Sequence, residues 1–193
     1  MPHKFDPVHR RRLCSSDRVK RLPPDKILKT IGLGSGGTFV DIGCGTGLFA
    51  LPAAKVVGPR GKVFGLDISR DMLDDLSRSA AGLGLKNIET RLAAETESRL
   101  PRGASVYFMA NVFHELSDRA AYLRNIRKSM GPGSRLVIID YLKKRTLHGP
   151  PLGERVSMAT AKSLLTAHGL ILRKAWRVNE EEYGLIARPR RVR

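Results

Sequence analysis

The chain has 193 residues, 41% apolar and 27% charged, which suits one soluble domain with a full core. Its net charge of +17, from 35 basic and 18 acidic residues, attracts polyanions at low salt. No apolar run reaches the roughly 20 residues of a spanning helix, no apolar leader follows Met1, and two cysteines, Cys14 and Cys44, exclude a disulfide framework or a zinc site.

Residues 1–22 are polar and basic without a clear period, and predict an irregular arm or a short lid helix. Pro23 marks a boundary, and Pro24 suits the first turn of a helix through Ile27, Leu28 and Ile31. A loop over 32–37 leads into a short apolar strand, Phe39, Val40 and Ile42, with Asp41 near its end. Gly43, Gly45 and Gly47 turn the chain into a helix over 48–57, with Leu48, Leu51, Ala54 and Val57 on one face and Pro52 placed to kink it. A second strand over 62–67 closes on Asp67. Ser69 is set to cap a helix carrying Met72, Leu73, Leu76, Ala80 and Leu83.

A short strand over 87–92 follows, then an apolar strand over 105–110 that runs into Asn111, Val112, Phe113, His114 and Glu115. The helix over 118–130 uses Ala121, Leu123, Ile126 and Met130, and stops at Gly131. The β-branched strand over 135–140 ends at Asp140 and Tyr141. A loop over 143–153 holds His148, and Ser157 caps a helix running to Gly169. Residues 179–182 are too few for a parallel crossover, so the last strands, 171–178 and 183–187, form an antiparallel hairpin. Alternating strands and helices predict an α/β fold: a doubly wound sheet of about seven strands, mostly parallel with an antiparallel last strand, and helices on both faces. The expected organisation is a basic N-terminal arm and lid helix over 1–31, a ligand-binding domain over 32–188, and a basic tail over 189–193.

A strand that breaks on glycines and re-enters as a helix exposes bare backbone and a helix N-terminus at the mouth of a sheet. A dinucleotide turn needs G-x-G-x-x-G/A, but the position after Gly43 and Gly45 is Leu48, too large for close helix–strand packing. The G-K-[ST] end of a phosphate loop is also missing. What is present is D-x-G-x-G-x-G over 41–47, an acid at Asp67, the segment 109–115 after the fourth strand, and Gly131-Pro132-Gly133 before a β-branched strand. On these residues the chain resembles the class I S-adenosylmethionine-dependent methyltransferases, over about residues 20–187, and more narrowly a small single-domain prokaryotic group.

The resemblance implies a Rossmann-like fold, S-adenosyl-L-methionine as methyl donor and S-adenosyl-L-homocysteine as product. It assigns Asp41 to the amino end of the methionine moiety and Gly43, Cys44, Gly45 and Gly47 to its cradle. It assigns Asp67 to the ribose hydroxyls, Ile68 to an adenine face with Met72 in the same group, and Ala94 and Glu95 to the adenine amine. Asn111 falls at the donor's reactive end. Glycine suits such a cradle because a Cβ would fill the space a ligand needs, and Cys44 between two of them also reads as a small filler.

Methyl transfer from a sulfonium is an in-line displacement, so alignment supplies much of the rate. A base is needed only where the acceptor must lose a proton. Asn111, His114 and Tyr141 are the candidate catalytic residues, with His114 as base because its ordinary pKa is about 6.5; His114 as a plain helix-start residue is the structural alternative. His148 is a candidate for the acceptor pocket, and Arg155 for pairing with an acidic substrate. The [DN]-P-P-[YFW] signature of adenine amino methylation is absent, and no cysteine follows the fourth strand as cytosine-carbon methylation requires. The expectation is methyl transfer to a small-molecule acceptor in the cytoplasm, without a metal or a membrane partner. The alternatives are an RNA- or ribosome-directed methyltransferase using the basic surface, and a non-catalytic S-adenosylmethionine-binding protein.

Overall fold

The computed structural model of the protein describes residues 16–94 and 100–190. The strand β1 (Thr38–Ile42) pairs in parallel with β2 (Lys62–Asp67) on one side and β4 (Val106–Ala110) on the other. Beyond β2 lies β3 (Ile88–Leu92), and beyond β4 lies β5 (Arg135–Tyr141), both parallel to their neighbours. The hairpin of β6 (Leu170–Arg177) and β7 (Glu182–Pro189) is antiparallel, with β7 paired antiparallel to β5 and β6 at the edge. The order is β3-β2-β1-β4-β5-β7-β6, the expected doubly wound sheet. The chain winds outward from β1 to β3 and then returns to β4 on β1's other side. Strand order therefore reverses between β1 and β4, and the crevice outside their carboxyl ends is where such sheets take ligands.

Period-two alternation sends each strand's side chains to two cores. Phe39, Phe108, Val137 and Ile139 meet α2 (Pro24–Thr30), α3 (Ala50–Val57) and α4 (Arg70–Gly82) on one face. Val40, Tyr107, Met109 and Ile138 meet α5 (Arg119–Ser129) and α6 (Met158–Ala167) on the other. Phe108 anchors the first face, with ring centroids 5.3 Å from Phe39 and 4.6 Å from Phe49. Each large side chain buried this fully contributes on the order of 1.5–3 kcal/mol. Leu22, Ile27, Leu28 and Ile31 belong to the same core, so α2 is packed into the domain.

Local readings fail where tertiary packing decides. The third helix begins at Ala50 rather than 48, and buries Ala50, Ala53, Ala54 and Val57. Pro52 thus falls in its first turn, where a missing N–H costs no helical bond. Ser69 occupies the N-cap of α4, but its side chain makes no cap bond. Leu83 lies past the end of α4 and is 53% exposed. On α5 the inward residues are Tyr122, Leu123 and Ile126, and Asp118 caps the helix by accepting from the Ala121 N–H. Ser157 caps α6 as expected, accepting from the Thr160 N–H.

Candidate active site

A cavity of about 1010 Å³ opens over the β1–β4 crevice, lined by residues between Asp17 and Pro151. Small-ligand cavities run roughly 300–1,000 Å³, so this one has room for a nucleoside-sized donor and an acceptor together. Gly43, Gly45, Asp67, Ile68, Met72, Ala94, Asn111, His114 and Tyr141 all line it. Asp41, Cys44 and Gly47 do not. Glu95, like Cys14, lies outside the described residues.

On the donor side, Gly43 and Gly45 adopt φ of 68° and 51°, the left-handed region that favours glycine. A Cβ on Gly43 would stand 2.4 Å from Val112 Cγ2, so glycine also lets the ends of β1 and β4 close together. Gly47 serves packing instead: its Cβ would stand 2.5 Å from Leu76 Cδ1, between α3 and α4. Cys44 is a buried filler, its thiol pKa pushed well up by burial and by the charges of Asp41 and Asp67.

Asp67 Oδ2 accepts the Gly45 N–H at 2.8 Å, and Oδ1 accepts the Ser69 N–H at 3.0 Å. A carboxylate offers about four acceptor positions, so with the Ile68 N–H also beside it at least one remains for a ribose hydroxyl. Burial raises its pKa, against the N–H groups of Ser69, Gly45 and Ile68. Asp41 lies just beneath, 2% exposed, with Oδ2 lacking any hydrogen-bond partner among the described residues. Burial, then the charge of Asp67, pushes its pKa up to about 8, opposed by the Ala50 N–H and by Arg18. A ligand carrying a positive charge above this pair relieves both acids. The glycine cradle, the spare acceptor of Asp67 and a buried acid that a nearby cation would ionise fit a cationic nucleoside donor such as S-adenosylmethionine.

On the acceptor side, His114 follows β4 in a short 3-10 turn, Phe113–Glu115, and Asp140 ends β5 beside it. His114 Nδ1 lies 2.7 Å from Asp140 Oδ1, and Asp140 Oδ2 accepts the His114 backbone N–H at 2.9 Å. Both residues are buried, and Asp140 is wholly sealed. Burial alone lowers the His114 pKa, but the hydrogen bond and charge of Asp140, with the charge of Glu115, carry it above the ordinary value. Such a pair fixes the ring orientation and stabilises the imidazolium that forms when His114 takes a proton.

Asn111 holds φ of 61°, uncommon for a residue with a side chain, at the switch point itself. Its Nδ2 donates to Glu182 Oε1 at 2.9 Å, while Oδ1 is buried without a partner among the described residues. Tyr141 packs edge-on to His114, centroids 6.0 Å apart, and burial followed by the charge of Glu182 raises its pKa, keeping it a phenol.

The roof comes from α1 (Ser16–Arg21) and residues 148–151. Arg21 donates to Glu181 Oε2 at 3.0 Å, and His148 sits between Glu181 Oε2 at 2.9 Å and Asp17 Oδ2 at 3.4 Å. His148 thus lines the cavity, where the sequence reading put it as a candidate for the acceptor pocket. Arg155 does not face a substrate: it is 6% exposed and donates to Pro150 O, Leu142 O, Lys144 O, Thr146 Oγ1 and His148 O, holding the loop from inside. The residues that sequence reasoning missed are Asp17, Arg18 and Arg21 on α1, Asp140 as partner of His114, and Glu182. Only Asp140 left a signal, as a strand-end acid one position before Tyr141.

A family model described as a methyltransferase domain matches residues 33–185. The chain belongs to this family and is a class I S-adenosylmethionine-dependent methyltransferase. A solved S-adenosylmethionine-dependent methyltransferase from Aquifex aeolicus is 32% identical, with a TM-score of 0.90 over 95% of this chain and 98% of its own. Nocamycin O-methyltransferase of Saccharothrix syringae is 33% identical over 107 residues, 53% of this chain and 38% of that protein. Demethylmenaquinone methyltransferase of Lactococcus lactis is 30% identical over 116 residues, 60% of this chain and 46% of that protein. The matches thus span less than half the length of these two curated relatives.

Proposed function

We propose that the protein transfers a methyl group from S-adenosylmethionine to a small-molecule acceptor whose nucleophilic atom gives up a proton to His114. The observation that carries this reading is that His114, paired with the buried Asp140, lines the same cavity as Asp67 and the glycine turn. The donor supplies an activated methyl on a sulfonium. Asp67 holds the donor's diol, and Gly43 and Gly45 receive its methionine part. His114 Nε2 takes the acceptor proton while Asp140 retains Nδ1–H. The Tyr141 hydroxyl and the Asn111 amide are the polar groups beside it that orient the acceptor and donor ends. A cavity roofed by α1 and residues 148–151 suits a small acceptor better than a nucleic-acid strand. The relative named for O-methylation of nocamycin is consistent with an acceptor that loses a proton.

The test is transfer of labelled methyl from S-adenosylmethionine into fractionated small molecules, RNA and protein of a native extract. Label in the small-molecule fraction, lost in His114→Ala, is the expected result. Label confined to RNA or protein overturns the acceptor class, and label unaffected by His114→Ala overturns the base.

A further inference from the structure

No helix among the described residues is long and apolar enough to cross a membrane. A second way of meeting a lipid surface is built at the mouth of the cavity. Leu147 is 88% exposed, whereas no other large apolar side chain among the described residues exceeds 53%. Single exposed leucines are ordinary on a protein surface, so the question is whether this one is merely loose. It is not. Its backbone N–H donates to Glu181 Oε1 at 2.9 Å, and the neighbouring His148 N–H reaches the same oxygen at 3.2 Å. From the other side Arg155 ties the carbonyls of Leu142, Lys144, His148 and Pro150 together. The backbone of the loop is held by the part-buried Glu181 and the buried Arg155, and the leucine stands outward.

The surroundings of Leu147 narrow what it meets. Lys143, Lys144 and Arg145 precede it and are all exposed, and Leu152, 43% exposed, follows on the same loop. The helix α1, joined to this loop through Asp17 and His148, adds exposed Val19 and Lys20. Apolar tips ringed by lysine and arginine match an anionic interface, where the cations meet headgroups and the leucine enters the acyl boundary. Nucleic acid has no use for the leucines, and a protein partner has no evident need of three adjacent cations. Residues 148–151 line the cavity directly behind.

We propose that the loop over residues 142–153 docks the protein on an anionic lipid surface, Leu147 foremost, so that a lipophilic methyl acceptor passes from the lipid into the cavity. The docking stands on the loop's own geometry; the nature of the acceptor rests on the proposed function. Peripheral docking of this kind needs no spanning segment, so the lack of an apolar run of spanning length does not bear on it.

The test is sedimentation of the full chain with vesicles of equimolar phosphatidylcholine and phosphatidylglycerol, against vesicles of phosphatidylcholine alone. Binding to the anionic vesicles is expected. Leu147→Ser should weaken it about tenfold, as loss of a buried leucine implies. Lys143→Ala and Lys144→Ala should each weaken it about fivefold, from the attraction of a cation near such a surface. Arg173→Ala with Lys174→Ala, on the edge strand β6, should leave it unchanged. S-adenosylhomocysteine affinity, measured on the same preparations, should match wild type in every variant. Absence of vesicle binding with intact donor binding overturns the docking alone, whereas absent donor binding in the wild type is a failure of the proposed function. Equal losses from the β6 and loop cations with no effect of Leu147→Ser reduce the binding to general charge. Competition by a short RNA that is itself sensitive to Leu147→Ser, or self-association without vesicles that Leu147→Ser abolishes, assigns the surface to another partner.

Discussion

Asp140→Asn separates a base pair that works from one that merely packs. The carboxylate is sealed at the end of β5 and accepts at both oxygens: Oδ1 meets His114 Nδ1 and the Tyr141 N–H, each at 2.7 Å, and Oδ2 takes the His114 N–H at 2.9 Å. Asparagine keeps the volume but has one acceptor. Either way round, its NH₂ opposes one backbone N–H, that of Tyr141 or that of His114; with the carbonyl on the His114 N–H, the NH₂ faces Nδ1 and puts the ring proton on Nε2, the nitrogen that must receive the acceptor's proton. General-base catalysis is worth about 10²–10⁴ in rate, so kcat should fall by that range, about 3–5 kcal/mol. The assay is kcat against pH at saturating donor. His114 acts as the neutral base, so the wild-type rate rises with pH through an inflection above the ordinary histidine value. In the variant the raising carboxylate is gone while burial remains, so the inflection moves to lower pH. A kcat within about threefold of wild type, or an inflection that stays in place, refutes the role.

Asp41→Asn should flatten the pH dependence of stability. A carboxyl at about 8 when folded and near 3.8 when unfolded binds more protons in the native state between those values, so its contribution is full below pH 4 and is lost as pH rises toward 8. At roughly 1.4 kcal/mol per pH unit the upper bound is about 6 kcal/mol. Melts of the ligand-free variant at pH 5 and pH 8 should differ less than those of wild type. Gly47→Ala combines φ of 98° with a Cβ 2.5 Å from Leu76, and should cost about 2–4 kcal/mol, read as a Tm lower by roughly 5–12 °C. Arg155→Leu removes the internal clamp of the loop. Hydrogen exchange at Leu147 and His148 should quicken by about tenfold or more, with S-adenosylhomocysteine affinity within about twofold of wild type.

The proposed donor half of the site was legible because its signals are local. The glycine turn after β1 and the acid closing β2 lie within one βαβ unit, and their chemistry follows from conformational freedom and acceptor count. The acceptor half depends on sheet order. His114 and Asp140 are 26 positions apart and meet only because β4 and β5 are neighbours. Arg21 and Glu181 are 160 positions apart, and no period links them. Arg155 looked available because its charge is visible in a sequence and its five carbonyl and hydroxyl partners are not. On α5, Tyr122 rather than Ala121 lies on the inward face, because it shares the helical spacing of Ile126 and Ser129.

Titration of S-adenosylhomocysteine into wild type, Asp67→Ala and His114→Ala tests most directly that one cavity holds a donor half and an acceptor half. Asp67→Ala should weaken binding by about 10–100-fold, since it removes charge-assisted bonds to the ribose, while His114→Ala stays within about twofold of wild type. Unchanged affinity in Asp67→Ala, or a comparable loss in His114→Ala, contradicts the division of the cavity on which the account rests.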